Sequence, residues 1–127
     1  MNDPIADLLT RIKNGYLARQ ETVTAPYSKF KEALCRLLQK CGYIGEISQE
    51  KDKLDLIISL IYQSGVPALT DVKRLSKPGL RRYVKAKDLN RLKPGLGYLI
   101  LSTPDGLKTH FEAKKAGVGG ELVCAIW

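Results

Sequence analysis

The sequence predicts an α+β protein of two small lobes. The first, over residues 1–64, reads α-β-α-β-β, and the second, over 65–127, reads mostly β with one or two short helices. Three observations lead there. Two runs in the first forty residues place apolar side chains at three- and four-residue steps, the period of a helix face. Short apolar runs punctuated by glycine, proline and polar turn residues follow, the pattern of strands and hairpins. Finally, 127 residues that are 44% hydrophobic and 27% charged can bury a real core without disulfide or metal staples.

From Pro4 to Gln20, Ile5, Leu8, Leu9, Ile12, Tyr16 and Leu17 mark one helical face, with Asp3 as cap and Pro4 at the first helical position. Gly15 weakens that pattern locally. Glu21 to Ala25 reads as a short strand ended by Pro26. Ser28 then caps a second helix to Cys41, with Phe30, Leu34, Leu37, Leu38 and Cys41 on its apolar face and Gly42 as terminator. Tyr43–Ser48 and Leu54–Tyr62 form a hairpin about the charged turn at 49–53, and Gly65-Val66-Pro67 marks the lobe boundary. In the second lobe Leu69–Leu75 and Arg82–Lys85 read as strands. Tyr98–Ser102 is a buried-type strand, and Thr103-Pro104-Asp105-Gly106 is a turn. Thr109 and Glu112 form a capping box for a short helix to Ala116. Gly117-Val118-Gly119-Gly120 leads into a last strand, Glu121–Trp127. The text Lys-Pro-Gly-Leu occurs at 77–80 and 93–96 as turn chemistry used twice, with no repeat around it.

Charge narrows the function. The formal net charge is +8, and the window Lys73–Lys93 alone holds nine basic residues against one acid, Asp88. The remainder of the chain balances twelve against twelve. A merely solvated face intersperses both signs, because like charges crowded together repel. Nucleic acid is the partner this favours, since each phosphate neutralised releases counterions. A membrane surface would want an uninterrupted amphipathic helix, which Pro78-Gly79 and Pro94-Gly95 break, and no apolar stretch approaches the ~20 residues of a span. Met1-Asn2-Asp3-Pro4 carries no basic stretch before an apolar run, so no secretory signal is expected. Three cysteines, an odd number, argue for a reducing compartment such as the cytoplasm.

Catalytic and metal chemistry find little support. His110 is the only histidine, and Cys35 and Cys41 are spaced too widely for a zinc pair, so neither metal nor cofactor is expected. Ser102, Asp105 and His110 are close in sequence, which keeps a small Ser/His hydrolase as a distant rival, although a histidine beside a turn is usually exposed. Gly95-Leu96-Gly97 and Gly117–Gly120 miss the dinucleotide pattern and read as tight turns or close backbone approach. Tyr83, set in Arg81-Arg82-Tyr83-Val84-Lys85, can stack on an unpaired base or pack on a core.

A set of motifs then appears in order. Ser76-Lys77-Pro78-Gly79-Leu80-Arg81-Arg82-Tyr83, Gly95-Leu96-Gly97, Ile100-Leu101-Ser102-Thr103-Pro104, Gly106, Glu112-Ala113 and Gly117-Val118-Gly119-Gly120-Glu121 resemble ribosomal protein eight of the small subunit. The first helix, Asp3 to Asn14, and Pro26-Tyr27-Ser28-Lys29-Phe30-Lys31 are similar to the same family. The resemblance implies a two-lobed α/β protein without catalytic activity. Its members bind the central domain of small-subunit ribosomal RNA, shape it during assembly beside neighbouring small-subunit proteins, and are monomers outside the ribosome. It carries RNA contacts to Tyr83, Ser102, Thr103, Pro104, Gly106, Gly119, Gly120 and Glu121 in the C-terminal lobe, and to Asp3, Pro4, Asn14 and Lys29 in the N-terminal one. Ser76, Lys77, Arg81 and Lys85 join them from the basic window. Asp105 stands where the family usually holds a polar, often basic residue, and Arg82 where an apolar one is common. Small residues at 102–106 and 119–120 would let RNA approach closely, provided the strands flanking them pair. A DNA- or RNA-binding regulator outside the ribosome, or a repressor of its own messenger RNA, remains the alternative, as does placement in an organellar ribosome.

Overall fold

The computed structural model describes residues 3–49, 54–92, 95 and 97–127. Glu50–Lys53 of the expected charged turn lie outside these residues, as do Met1, Asn2 and, from the second Lys-Pro-Gly-Leu copy, Lys93, Pro94 and Leu96. The chain divides into two compact units, Pro4–Thr70 and Asp71–Trp127 joined by the N-terminal residues to Asp3.

The first unit runs α1 (Pro4–Leu17), β1 (Thr22–Pro26), α2 (Lys29–Lys40), β2 (Ile47–Gln49), β3 (Asp55–Ser59), β4 (Tyr62–Gln63) and β5 (Val66–Pro67). Strands β1, β3 and β2 form an antiparallel sheet in that order. Its core takes Leu8, Leu9, Ile12 and Tyr16 from α1, Leu34, Leu37 and Leu38 from α2, and Leu56 and Ile58 from β3. Helix α1 stops at Leu17, short of Gln20, because Arg19 turns into the left-handed region at φ +58. On α2 the Ser28 hydroxyl accepts from Lys31 N–H at 3.1 Å. The buried stripe there runs through Lys31, Leu34, Cys35 and Leu38. Phe30 is therefore 37% exposed and Cys41 only half-buried, with Cys35 fully buried in the place expected of Cys41. Lys31 buries its stem and lifts its ammonium to Pro26 O at 3.3 Å.

The expected hairpin is trimmed to β2 and β3, in register Ile47↔Ile58. Gly65 does not end the unit. Ser64 and Gly65 have φ +52 and +80, the two positive values a tight two-residue hairpin turn demands, and they connect β4 to β5. That pairing keeps residues 65–70 with the N-terminal unit, although the sequence pattern places the start of the second lobe at 65.

The second unit runs β6 (Val72–Arg74), β7 (Tyr83–Val84), a 3-10 helix (Ala86–Arg91), β8 (Tyr98–Thr103), β9 (Gly106–Thr109), α3 (His110–Ala116) and β10 (Gly120–Ile126). The sheet order is β6-β10-β8-β9, with β7 also on β10. Strand β10 thus gives one edge to β8 and divides the other, Cys124–Ile126 pairing β6 and Gly120–Glu121 pairing β7. The 3-10 helix and α3 cover the sheet through Leu89 and Ala113, which pack with Leu99 and Leu101. The capping box forms as the sequence predicts, Thr109 Oγ1 accepting from Glu112 N–H at 3.2 Å and Glu112 Oε1 from Thr109 N–H at 3.0 Å.

Cys35 and Cys124 are fully buried free thiols, and burial pushes the pKa of both up to about 12. Either one replaced by serine is expected to cost about 1–3 kcal/mol, the penalty for burying a hydroxyl in an apolar site. Cys41→Ser is expected to cost under about 0.5 kcal/mol. Urea denaturation of the three single variants distinguishes these outcomes.

Candidate nucleic-acid interface

Antiparallel pairing sets directly opposed residues on the same face of a sheet. On β10, Glu121 is opposite Tyr83 of β7 on one side and Ser102 of β8 on the other. Three chain segments far apart in sequence thus present Tyr83, Glu121 and Ser102 in a row at one end of the sheet. Tyr83 is 71% exposed, so its ring is available for stacking rather than committed to a core. Glu121 accepts from Arg81 Nη1 at 3.0 Å, which keeps the carboxylate oriented and offsets its charge in a basic setting.

Two predicted contact residues serve the site from within. Ser76 is fully buried: its hydroxyl accepts from Arg82 N–H at 2.8 Å and donates to Arg82 O at 3.3 Å, holding the strand that displays Arg81 and Tyr83. Thr103 is 9% exposed, and its hydroxyl donates to Gly106 O at 2.7 Å and accepts from Asp105 N–H at 3.1 Å. Both hydroxyls donate and accept within their own chain, which fixes the local shape of the surface. Pro104, Asp105 and Gly106 form the exposed turn that Thr103 closes.

Gly119 and Gly120 are small for an internal reason. A Cβ on Gly119 would lie 2.3 Å from Val84 O, and one on Gly120 would lie 2.1 Å from Ser102 O. The space a side chain would need is filled by β8 and by the backbone leaving β7.

The basic window is spread over the unit's surface. Lys77 opens a tight turn closed by paired backbone bonds with Leu80, at 3.0 and 2.9 Å. Lys77, Arg81, Arg82, Lys85 and Lys87 are exposed. Arg74 is tied inward, its Nε 3.1 Å from Asp3 and its Nη1 2.6 Å from Val123 O. Asp3 is correspondingly occupied as an ion-pair partner. In the N-terminal unit Pro4, Asn14 and Lys29 are exposed, and Asn14 borders an open groove of about 500 Å³ with Arg11, Gln20, Thr22 and Thr24.

His110 is buried at 2% exposure, although its place beside a turn predicts an exposed ring. Its Nδ1 accepts the Leu99 backbone N–H at 3.1 Å. Desolvation pulls its pKa below the ordinary value, with Lys114 adding to the effect. The hydrolase reading loses an accessible base. No sequence signal showed this role, because the partner is a main-chain N–H. Unfolded, the imidazole takes up a proton at its ordinary pKa, but folded it does so only at lower pH. The unfolded chain therefore holds more protons as pH falls through the ordinary value, and stability is lost there. We expect the urea midpoint to decline between about pH 7 and 5.5, the range around an unperturbed imidazole pKa. It should decline less in His110→Asn, which keeps an acceptor but does not titrate.

Comparison with known proteins agrees along the whole chain. The family model described as "Ribosomal protein S8" matches residues 3–127. The small ribosomal subunit protein uS8 of Dictyoglomus thermophilum is 46% identical over 129 residues, covering 100% of this chain and 98% of its own length. That of Trichormus variabilis is 44% identical over 130 residues, covering 99% and 98%. That of Tolumonas auensis is 46% identical over 127 residues, again covering 99% and 98%. A two-lobed α+β chain with a basic, aromatic-bearing sheet end is thus similar from end to end to proteins of the small ribosomal subunit rather than to enzymes, and it belongs to the ribosomal protein S8 family.

Proposed function

We propose that this chain binds the central domain of small-subunit, 16S-type ribosomal RNA directly and organises it during subunit assembly, beside neighbouring small-subunit proteins. The cytoplasmic ribosome is its place of work. The observation that carries the reading is the cross-strand row Tyr83–Glu121–Ser102 with Arg81 clamped to Glu121. An exposed ring stacks on an unpaired base, while a half-buried carboxylate and a hydroxyl select base amino groups and 2′-hydroxyls. Lys77, Arg81 and Lys85 supply phosphate contacts that add affinity without specificity. Pro104, Gly106, Gly119 and Gly120 contribute main-chain shape, and Ser76 and Thr103 hold that shape. In the N-terminal unit, Pro4, Asn14 and Lys29 meet a second RNA segment, while Asp3, which belongs with the C-terminal unit, secures the ion pair with Arg74.

Chemical probing of small-subunit ribosomal RNA with and without the purified protein tests the reading. Protections confined to the central domain are expected. Protections scattered evenly over the RNA would reduce the protein to a non-specific polycation binder, and their absence would end the proposal.

A further inference from the structure

Phe111 of α3 is 58% exposed although the residue before it is buried. Its ring is braced. It meets Tyr98 edge-on at 5.8 Å and 85°, and lies 4.0 Å from the His110 ring at 37°. An aromatic held this way loses little side-chain freedom on binding, which favours a stacking platform. Lys114 and Lys115 follow three and four residues on, on the same side of the helix, and both are exposed. Beside α3, through Leu89 and Ala113, lies the 3-10 helix, which exposes Lys87 and Arg91. The acids of this layer are engaged: Asp88 faces Arg91 at 3.6 Å, and Glu112 closes the capping box. Cations therefore dominate a surface with an apolar ring set in it. This layer covers the sheet face lined by Leu99 and Leu101, apart from the strand row of Tyr83, Glu121 and Ser102.

We propose that the outer surface of α3 is an RNA-binding surface additional to the strand row and to the N-terminal contacts. Phe111 stacks on an unpaired base while Lys114 and Lys115, three and four residues on along the same side of the helix, hold the neighbouring phosphates. A ring flanked by positive charge matches the alternation of base and phosphate in single-stranded RNA. The charge complementarity selects RNA over a protein partner of ordinary composition. This inference rests on the reading that the chain binds ribosomal RNA.

The test combines ultraviolet cross-linking of the full chain to small-subunit ribosomal RNA, peptides mapped by mass spectrometry, with filter binding over a salt series. A nucleotide adduct is expected on the peptide containing Phe111 in the unsubstituted protein. Phe111→Ala should weaken binding roughly tenfold at an unchanged salt slope, and Phe111→Tyr should restore it. Lys114→Gln with Lys115→Gln should lower the slope by about 1.4 to 1.8. An adduct at Tyr83 but none at Phe111, with all variants binding normally, overturns this surface and leaves the primary RNA reading intact. Loss of protein–protein cross-links in assembled subunits as the only effect of Phe111→Ala would assign the face to a neighbouring protein, which also overturns it. No binding by the unsubstituted chain removes both readings.

Discussion

Replacing Gly120 by valine is expected to destabilise the C-terminal lobe strongly, not to block RNA selectively. The first carbon of any side chain there would sit 2.1 Å from Ser102 O and 3.1 Å from Thr103 Cα. Neither obstacle is a flexible side chain that can turn aside. Strand β8 itself would have to move off β10, opening the ladder that joins Glu121 to Ser102 and Leu122 to Leu101. Overpacking that side chains can relieve costs about 1–3 kcal/mol. Here only main chain can yield, so a loss of at least about 3 kcal/mol is expected, a large share of a typical domain's ~5–15 kcal/mol. Urea denaturation followed by circular dichroism measures it. A variant with an unshifted midpoint and selectively weakened RNA binding would instead mean that Gly120 faces the ligand.

The second large effect is electrostatic. Alanine at Lys77, Arg81 and Lys85 together should lower the slope of log affinity against log salt by about two to three, since each phosphate contact contributes about 0.7–0.9. Affinity near 0.1 M salt should fall by about 10²-fold or more, for cognate and unrelated RNA alike. Arg81 should be the worst single loss. Removing it deletes a cation and also strips Glu121 of its 3.0 Å partner, leaving a carboxylate facing phosphates. Arg81→Ala with Glu121→Gln should therefore bind non-cognate RNA better than Arg81→Ala alone. Filter binding over a salt series reads all three outcomes, and equal slopes for the triple variant and the parent would take these residues out of the interface.

Features written in local periodicity were legible in the sequence. The apolar steps of α1 and α2, the capping box of α3 and the alternation that yields β1 and β3 are short-range rules, and they fix side-chain direction with little help from the rest of the fold. The short pieces were not legible. Strand β9 offers only Leu107 as an apolar residue, and the 3-10 helix buries only Leu89, so neither carries a period to read. Strands β4 and β5 hide behind a Ser-Gly turn that resembles a boundary. At the candidate site the residue types marked segments that the sheet brings together, but spacing does not reveal which hydroxyl is already bonded. Thr103 and Ser76 spend theirs on Gly106, Asp105 and Arg82, and His110 spends its acceptor on Leu99. Each partner is a backbone atom brought near by tertiary structure, which no side-chain motif encodes.

Strand β10 is the sheet's common neighbour, paired with β6, β7 and β8, yet it occupies residues 120–126. Synthesis proceeds from the N-terminus at roughly 5–20 residues per second. The unit spanning Pro4–Thr70 contains all of its own strand partners and can fold while the rest is still being made. The other unit cannot. Until residues 120–126 clear the ribosomal exit, β6 and β7 have no strand to pair with, and Tyr83, Glu121 and Ser102 are not in line. The order of the strands along the chain therefore delays the alignment of Tyr83, Glu121 and Ser102 until residues 120–126 have been made, well after the strands they pair with.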